Sequence, residues 1–165
     1  MIQNATSRIH RARPEDVVRV CALAEEFYEA DAMRYHPCGI MDADVWVGLW
    51  SEAIRLERGV ILYCTDSDQR DGKPIGFIVA MLVNSPVDGE LDLTEFLWFV
   101  SENATGAPCG MALLAALEDF AQEAGAVRVN MCHMANRTGM RIGRIFSRWG
   151  YAPVEVAYTK RIGGK

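Results

Sequence analysis

The chain has 165 residues, half of them apolar, a formal net charge of −5 and five cysteines. That length and apolar share suit one domain, residues 1–165, with a real core, and no stretch has the composition of a linker, repeat or low-complexity tract. The opening MIQNATSRIHRARPED has no apolar signal core and no apolar run reaches membrane-spanning length, so a soluble cytoplasmic protein with no membrane partner is expected.

In chain order, residues 7–12 alternate weakly as a short first strand. Pro14 then suits a first helical turn, with Glu15 and Asp16 at the positive end of the helix dipole. The first helix carries a core stripe of Val17, Val20, Cys21, Ala24, Phe27 and Tyr28, and its far end is acidic, with Glu25, Glu26, Glu29 and Asp31. Residues 32–41 form a loop containing Tyr35 and His36, and a second helix is expected over 42–58 from Val45, Trp46, Leu49, Trp50 and Ile54. Two β-branched runs, 59–65 and 75–83, flank DSDQRDGKP as a hairpin, and SPVDGE leads on to a third antiparallel strand at Leu91.

Residues 91–100 are apolar enough for a strand buried on both faces, and the breakers of 101–108 end it. Beyond them Leu113, Leu114, Leu117, Phe120, Ala121 and Ala124 form a helical stripe, with Gly125 as its stop. A loop entering a helix N-terminus presents free N–H groups and a positive dipole end to a phosphate; an ordinary tight connection has the same pattern. A fifth strand over 127–134 is reached by this crossover helix and so runs parallel to the fourth. A helix over 138–149 and a last strand over 154–162 complete the order βααβββαβαβ, an α/β arrangement with a mixed, mostly antiparallel sheet and helices on both faces.

Charge divides along the chain. Residues 1–126 hold 9 Lys+Arg against 21 Asp+Glu, a balance of −12, and residues 127–165 hold 8 against 1, a balance of +7. Arg137, Arg141, Arg144 and Arg148 share one helix face, either as a solvated side opposite Ile145, Phe146 and Trp149 or as a surface for anions. Overall acidity and the lack of any nucleic-acid-binding signature oppose nucleic acid as a partner. The cysteines Cys21, Cys38, Cys64, Cys109 and Cys132 are odd in number and never spaced C-x-x-C, which points to reduced thiols and to neither a disulfide nor a metal site.

That element order, with RARPED after the first strand, PIGFIVAML in the third, GAPCGMALLAALEDFAQEAGA and IFSRWGYAP, resembles the GNAT superfamily of N-acetyltransferases over nearly the whole chain. TEFLWFVSE and RWGYAPVEVAYTKRI most resemble small phage and prophage members. The resemblance implies a single-domain GNAT fold and acetyl-CoA as co-substrate, held in the splay between the fourth and fifth strands. Carried over by position, it implies backbone contacts at Trp98, Phe99 and Val100. It also implies a phosphate loop of Thr105, Gly106, Ala107, Pro108, Cys109 and Gly110. Thr105 and Pro108 depart from the usual Gln or Arg and Gly, and Phe146 stands where many members place a general-acid tyrosine.

Glu95 is the candidate base. Strict strand alternation puts it on one face with Leu91, Leu93, Leu97 and Phe99, where desolvation raises a carboxylate's pKa; the family's acid falls one position earlier, at Thr94, an offset that a bulge would absorb. A glutamate tied to an arginine or a backbone amide is the competing reading. His133 is the second candidate, as base, proton shuttle or hydrogen-bonded core histidine. Cys109 and Cys132 lack a nucleophile's context. Two functions are consistent with these residues. One is acetyl transfer to an amine or lysine-like acceptor by direct attack in a ternary complex, the acceptor bordered by Tyr35, His36 and the acidic helix end. The other is a GNAT scaffold without catalysis, a binding or phage structural protein that uses exposed Trp46, Trp50 and Trp149. Acceptor identity and any homo-oligomer are open.

Overall fold

The computed structural model describes residues 8–29, 41–104, 108–134, 137–160 and 162, the side chains of Asn103, Arg137 and Thr138 excepted. The sheet contains β1 (Ile9–Arg11), β2 (Gly59–Thr65), β3 (Pro74–Asn84), β4 (Leu91–Val100) and β5 (Arg128–Asn130) in that spatial order. The first four strands pair antiparallel, and β4 and β5 pair parallel. The helices are α1 (Val17–Glu29), α2 (Ala43–Arg55), α3 (Cys109–Glu123) and α4 (Arg137–Arg148). Short 3-10 turns occupy Pro14–Asp16 and Glu102–Ala104.

Local chemistry accounts for the boundaries. The Asp42 carboxylate accepts the Val45 N–H at 3.0 Å and caps α2, one residue inside the expected start. Gly125, at φ 75°, turns the chain out of α3 in the left-handed region where a Cβ is disfavoured. β2 is buried at every position because helices cover both faces of the sheet. On one face, α1 and α2 bring Val20, Leu23, Trp46 and Trp50 against Ile61, Tyr63, Phe77 and Val79. On the other, α3 brings Leu113, Leu117 and Phe120 against Val60, Leu62, Ile78 and Leu93. Burying each such side chain contributes roughly 1.5–3 kcal/mol before entropy is counted.

Four expectations change. Trp46 and Trp50 are 8 % and 4 % exposed, so they are core residues and not a docking surface; of the three tryptophans only Trp149, at 38 %, is exposed. The fifth strand shrinks to Arg128–Asn130, because its pairing with β4 stops at Thr94 opposite Asn130. Residues 154–160 and 162 form no strand. A bulge in β4 also interrupts the assumed alternation. Val79 pairs with Leu97 and Ala80 with Glu95, leaving Phe96 as the extra residue. Leu97 and Phe99 therefore belong to the α1/α2 face, while Glu95 pairs with Ala80 on the α3 face, the side of Leu93.

Candidate functional site

β4 and β5 are clamped together at one end and part at the other. At the closed end the Arg128 guanidinium reaches Asp88 at 2.7 Å, Asp92 at 2.7 Å and Glu90 at 3.2 Å. Beyond Thr94 and Asn130, β4's far edge, over Trp98, Phe99 and Val100, pairs with no strand among the described residues, and the two strands part as a cleft. This is where a ligand bearing amides could extend the sheet.

Glu95 sits at the point of divergence. It is 5 % exposed, and its Oε2 accepts both the Cys132 N–H at 3.0 Å and the Cys132 thiol at 3.1 Å. The carboxylate thus fills the place of a lost strand partner for Cys132, the first amide donor left over as the ladder ends. No described cation pairs with it, and Oε1 makes no hydrogen bond among the described residues. Burial pushes its pKa above the ordinary carboxylate range, and the two Cys132 donors offset part of that rise. Cys132 is exposed as a residue, yet burial of its sulfur and the adjacent carboxylate push the thiol up to about 12. It is therefore a donor and not a ready nucleophile. The backbone amide of the competing sequence reading is thus present, and no arginine partner is found among the described residues; that the amide and a thiol both come from Cys132 had no spacing signature, because the link crosses the splay.

Trp98 lines the same region. Its ring stacks on Phe146 of α4 at 5.7 Å, and its indole Nε1 is buried without an acceptor among the described residues. α4 is held close by glycines. A Cβ on Gly139 would lie 1.6 Å from the Met134 carbonyl oxygen, and one on Gly143 would lie 2.9 Å from His133 Nε2. His133 packs into this contact, with Nδ1 3.1 Å from the Met134 oxygen and its ring 6.3 Å from that of Phe146. The ring's described contacts are with Met134 and α4, and it has no described link to Glu95.

The approach to α3 completes the cleft. Thr105, Gly106 and Ala107 lie outside the described residues. Pro108 is the N-cap, and Ala112 N–H to Pro108 O, at 3.1 Å, closes the first helical turn. The N–H groups of Cys109, Gly110 and Met111 precede that bond and are the donors an anion would meet. Cys109 itself is 1 % exposed, its thiol buried against Cys64 and pushed up by that neighbour and by burial, so only its backbone faces the approach. Gly110 lies beside Trp98, where an added Cβ would come within 3.4 Å of the indole ring. Phe146 is buried, and the phenol of Tyr151, whose ring lies 5.6 Å from that of Phe146, donates to Glu118 at 2.8 Å with its pKa raised by burial. Arg141, Arg144 and Arg148 make no ion pair with a described residue. Of the acidic end of α1, Glu26 accepts the Ser101 hydroxyl at 2.7 Å, tying helix to strand; Asp31, Tyr35 and His36 lie outside the described residues.

A sheet that splays beside a helix N-terminus, with a carboxylate at its apex, is the decisive feature of this architecture. The fold is that of the GNAT acyltransferases. One similar structure, described as a probable acetyltransferase, superposes with a TM-score of 0.72 at 16% identity, covering 96% of this chain and 99% of that one. AAC(6')-Iy, in complex with the bisubstrate analogue CoA-S-monomethyl-acetylneamine, superposes with a TM-score of 0.68 at 16% identity, covering 93% and 97%. Ribosomal-protein-alanine N-acetyltransferase from Brucella melitensis biovar Abortus 2308 gives 0.65 at 17% identity, covering 93% and 99%. No family model and no curated protein matches the chain by sequence. Within this GNAT fold, the cleft between β4 and β5 is the candidate active site.

Proposed function

We propose that the chain, as one domain over residues 1–165, is an acetyl-CoA-dependent N-acetyltransferase acting on an amine acceptor by direct attack in a ternary complex. The observation that carries this reading is Glu95, a buried carboxylate at the apex of the β4/β5 splay that has no described cationic partner and keeps one oxygen free of described donors. Raised by burial, it is a stronger base than an ordinary carboxylate towards the proton of an acceptor ammonium. The freed amine then attacks the thioester carbonyl, and the CoA thiolate leaves. The open edge of β4 at Trp98, Phe99 and Val100 suits an amide-bearing pantetheine arm, and the Cys109, Gly110 and Met111 amides suit its pyrophosphate.

Phe146 cannot protonate the leaving thiolate, and Tyr151 is committed to Glu118. Solvent supplies that proton, a role made easier because a thiol is a far stronger acid than an alcohol. An acceptor that is a primary or lysine-like amine is favoured by the acidic bulk of the chain.

Thermal melts with acetyl-CoA and with CoA, followed by thiol release over a panel of small amines, test the reading. Stabilisation by acetyl-CoA together with turnover that Glu95→Gln abolishes is expected. Absence of any shift at millimolar acetyl-CoA would overturn it in favour of a scaffold without catalysis.

A further inference from the structure

Trp98 carries the one buried side-chain nitrogen or oxygen that finds no hydrogen-bond partner among the described residues, its indole Nε1. An N–H buried without an acceptor is costly, so folded proteins keep few such groups, and each calls for a reason. The placement of the ring supplies one. Trp98 packs on the α3 side of the sheet, with Phe146 stacked on the indole at 5.7 Å. An added Cβ on Gly110 would lie 3.4 Å from Cζ2 and 3.9 Å from Cε2, the ring atom bonded to Nε1. The nitrogen-bearing edge of the indole is therefore turned towards the first turn of α3, where the N–H groups of Cys109, Gly110 and Met111 precede the first bond within the helix. The missing side chain at Gly110 is what lets the ring come so close.

We propose that the Trp98 indole N–H donates to the pyrophosphate of bound acetyl-CoA, in place of the backbone donor that Pro108 removes from the approach to α3. The assignment rests on the acetyl-CoA reading of the cleft given above and adds a side chain to it. Proline has no N–H, so an approach with Pro108 at the N-cap presents one donor fewer to an anion than the same approach with glycine. Trp98 restores the count from β4, along an edge that already faces the same helical turn. The chemistry suits the exchange. An indole N–H only donates, so only an acceptor can satisfy it, and an anionic phosphate oxygen is the strongest acceptor on the proposed ligand. Away from water the bond is stronger once formed. Because Nε1 is closed to water as well, binding has to shift the indole edge or the Phe146 ring stacked on it, and the surroundings of the indole change as the anion arrives.

The test reads the indole N–H directly. In proton–nitrogen correlation spectra of the full chain, Trp98→Phe identifies the Trp98 Nε1 signal by its loss. The wild type is then titrated with acetyl-CoA and with S-acetylpantetheine, which has the thioester and the amides but no phosphate. Acetyl-CoA should move the Trp98 signal downfield, and S-acetylpantetheine should leave it near its free position. By calorimetry Trp98→Phe should bind acetyl-CoA about 10- to 100-fold more weakly, the range for a hydrogen bond to a charged group, with its affinity for S-acetylpantetheine unchanged. A signal that acetyl-CoA binding leaves in place, a signal that both ligands move equally, or a variant that loses both ligands in equal proportion or neither would overturn the assignment and leave the acetyl-CoA reading standing. A wild type that binds neither ligand would overturn both. Should Trp98→Phe fail to fold, the signal is assigned through its contacts with Phe146 and Gly110, and the two titrations of the wild type decide.

Discussion

Two carboxylates are buried among the described residues, one at a helix start and one on the sheet, and they are opposites. Asp16 is 7 % exposed at the start of α1, where its Oδ2 accepts the Arg13 N–H at 2.9 Å and pairs with Arg70, and Arg19 lies 3.9 Å from Oδ1. Arg70 and Arg19 also donate to main-chain oxygens of Arg11, Arg70 and Gly72, so the carboxylate locks the β2–β3 hairpin to the helix. Burial alone would raise its pKa, but the Arg13 amide and the Arg70 guanidinium prevail and hold it below the ordinary value. Glu95, as deeply buried, has only an amide and a thiol, and its pKa goes up. A carboxylate with a cation is structure; under the proposed function, one with no described cation at the splay is the group that takes the proton.

The largest effects should separate the two by function. Glu95→Gln keeps an oxygen for the Cys132 amide, so melting should change little while acetyl transfer falls by about 10²- to 10⁴-fold, the usual contribution of a general base. Steady-state rates and melts on the same sample check this. If Glu95→Gln instead melts early and retains turnover, the contrast collapses and Glu95 is a plug for the splay. Asp16→Asn should do the reverse. It strips charge from a partly buried pair and leaves Arg70 without its partner, costing about 1.5–3 kcal/mol by denaturant titration, with kcat nearly unchanged.

The pH dependence of stability has opposite signs at the two sites. Asp16, with its folded pKa depressed, contributes stability that is present above the unfolded aspartate pKa and is lost as pH falls through the folded value. Glu95, with its folded pKa raised, contributes stability that is complete below the unfolded glutamate pKa and is lost as pH rises through the folded value. Asp16→Asn should therefore flatten the acid limb of the stability profile, and Glu95→Gln the limb above the ordinary carboxylate range. Denaturant midpoints from acid to neutral pH would show whether each variant removes its own limb.

How far this contrast was legible in the sequence depends on the kind of information involved. β2 and β4 have the bounds expected from residue type, because seven- and ten-residue apolar runs between breakers admit few alternatives. Burial of Glu95 followed from its neighbours, but its face did not, since a bulge at Phe96 is a property of the β3–β4 register and no single strand encodes it. Trp46 and Trp50 could be read as core stripe or docking surface until α2 was placed against the sheet, where Trp46 meets Phe77 at 6.3 Å. The last strand's alternation is present, but pairing needs an edge, and alternation supplies none. Cys132 was the least legible, because its partner lies across a gap between strands.

The smallest predicted effect isolates that partner. The Cys132 thiol donates to the same oxygen of Glu95 as the main-chain N–H, so replacing it leaves one donor in place and should change turnover by only a few-fold. Its direction carries the information. Cys132→Ser substitutes a stronger donor to the ionised carboxylate, lowers the Glu95 pKa, and should move the acid limb of the pH–rate profile to lower pH. Cys132→Val removes the donor and should move that limb upward. A displacement of opposite sign in the two variants would identify Cys132 as the residue that positions and tunes Glu95. Equal loss in both, with the limb unmoved, would mean the thiol only packs, and the main-chain amide of Cys132 alone would offset the rise that burial imposes on Glu95.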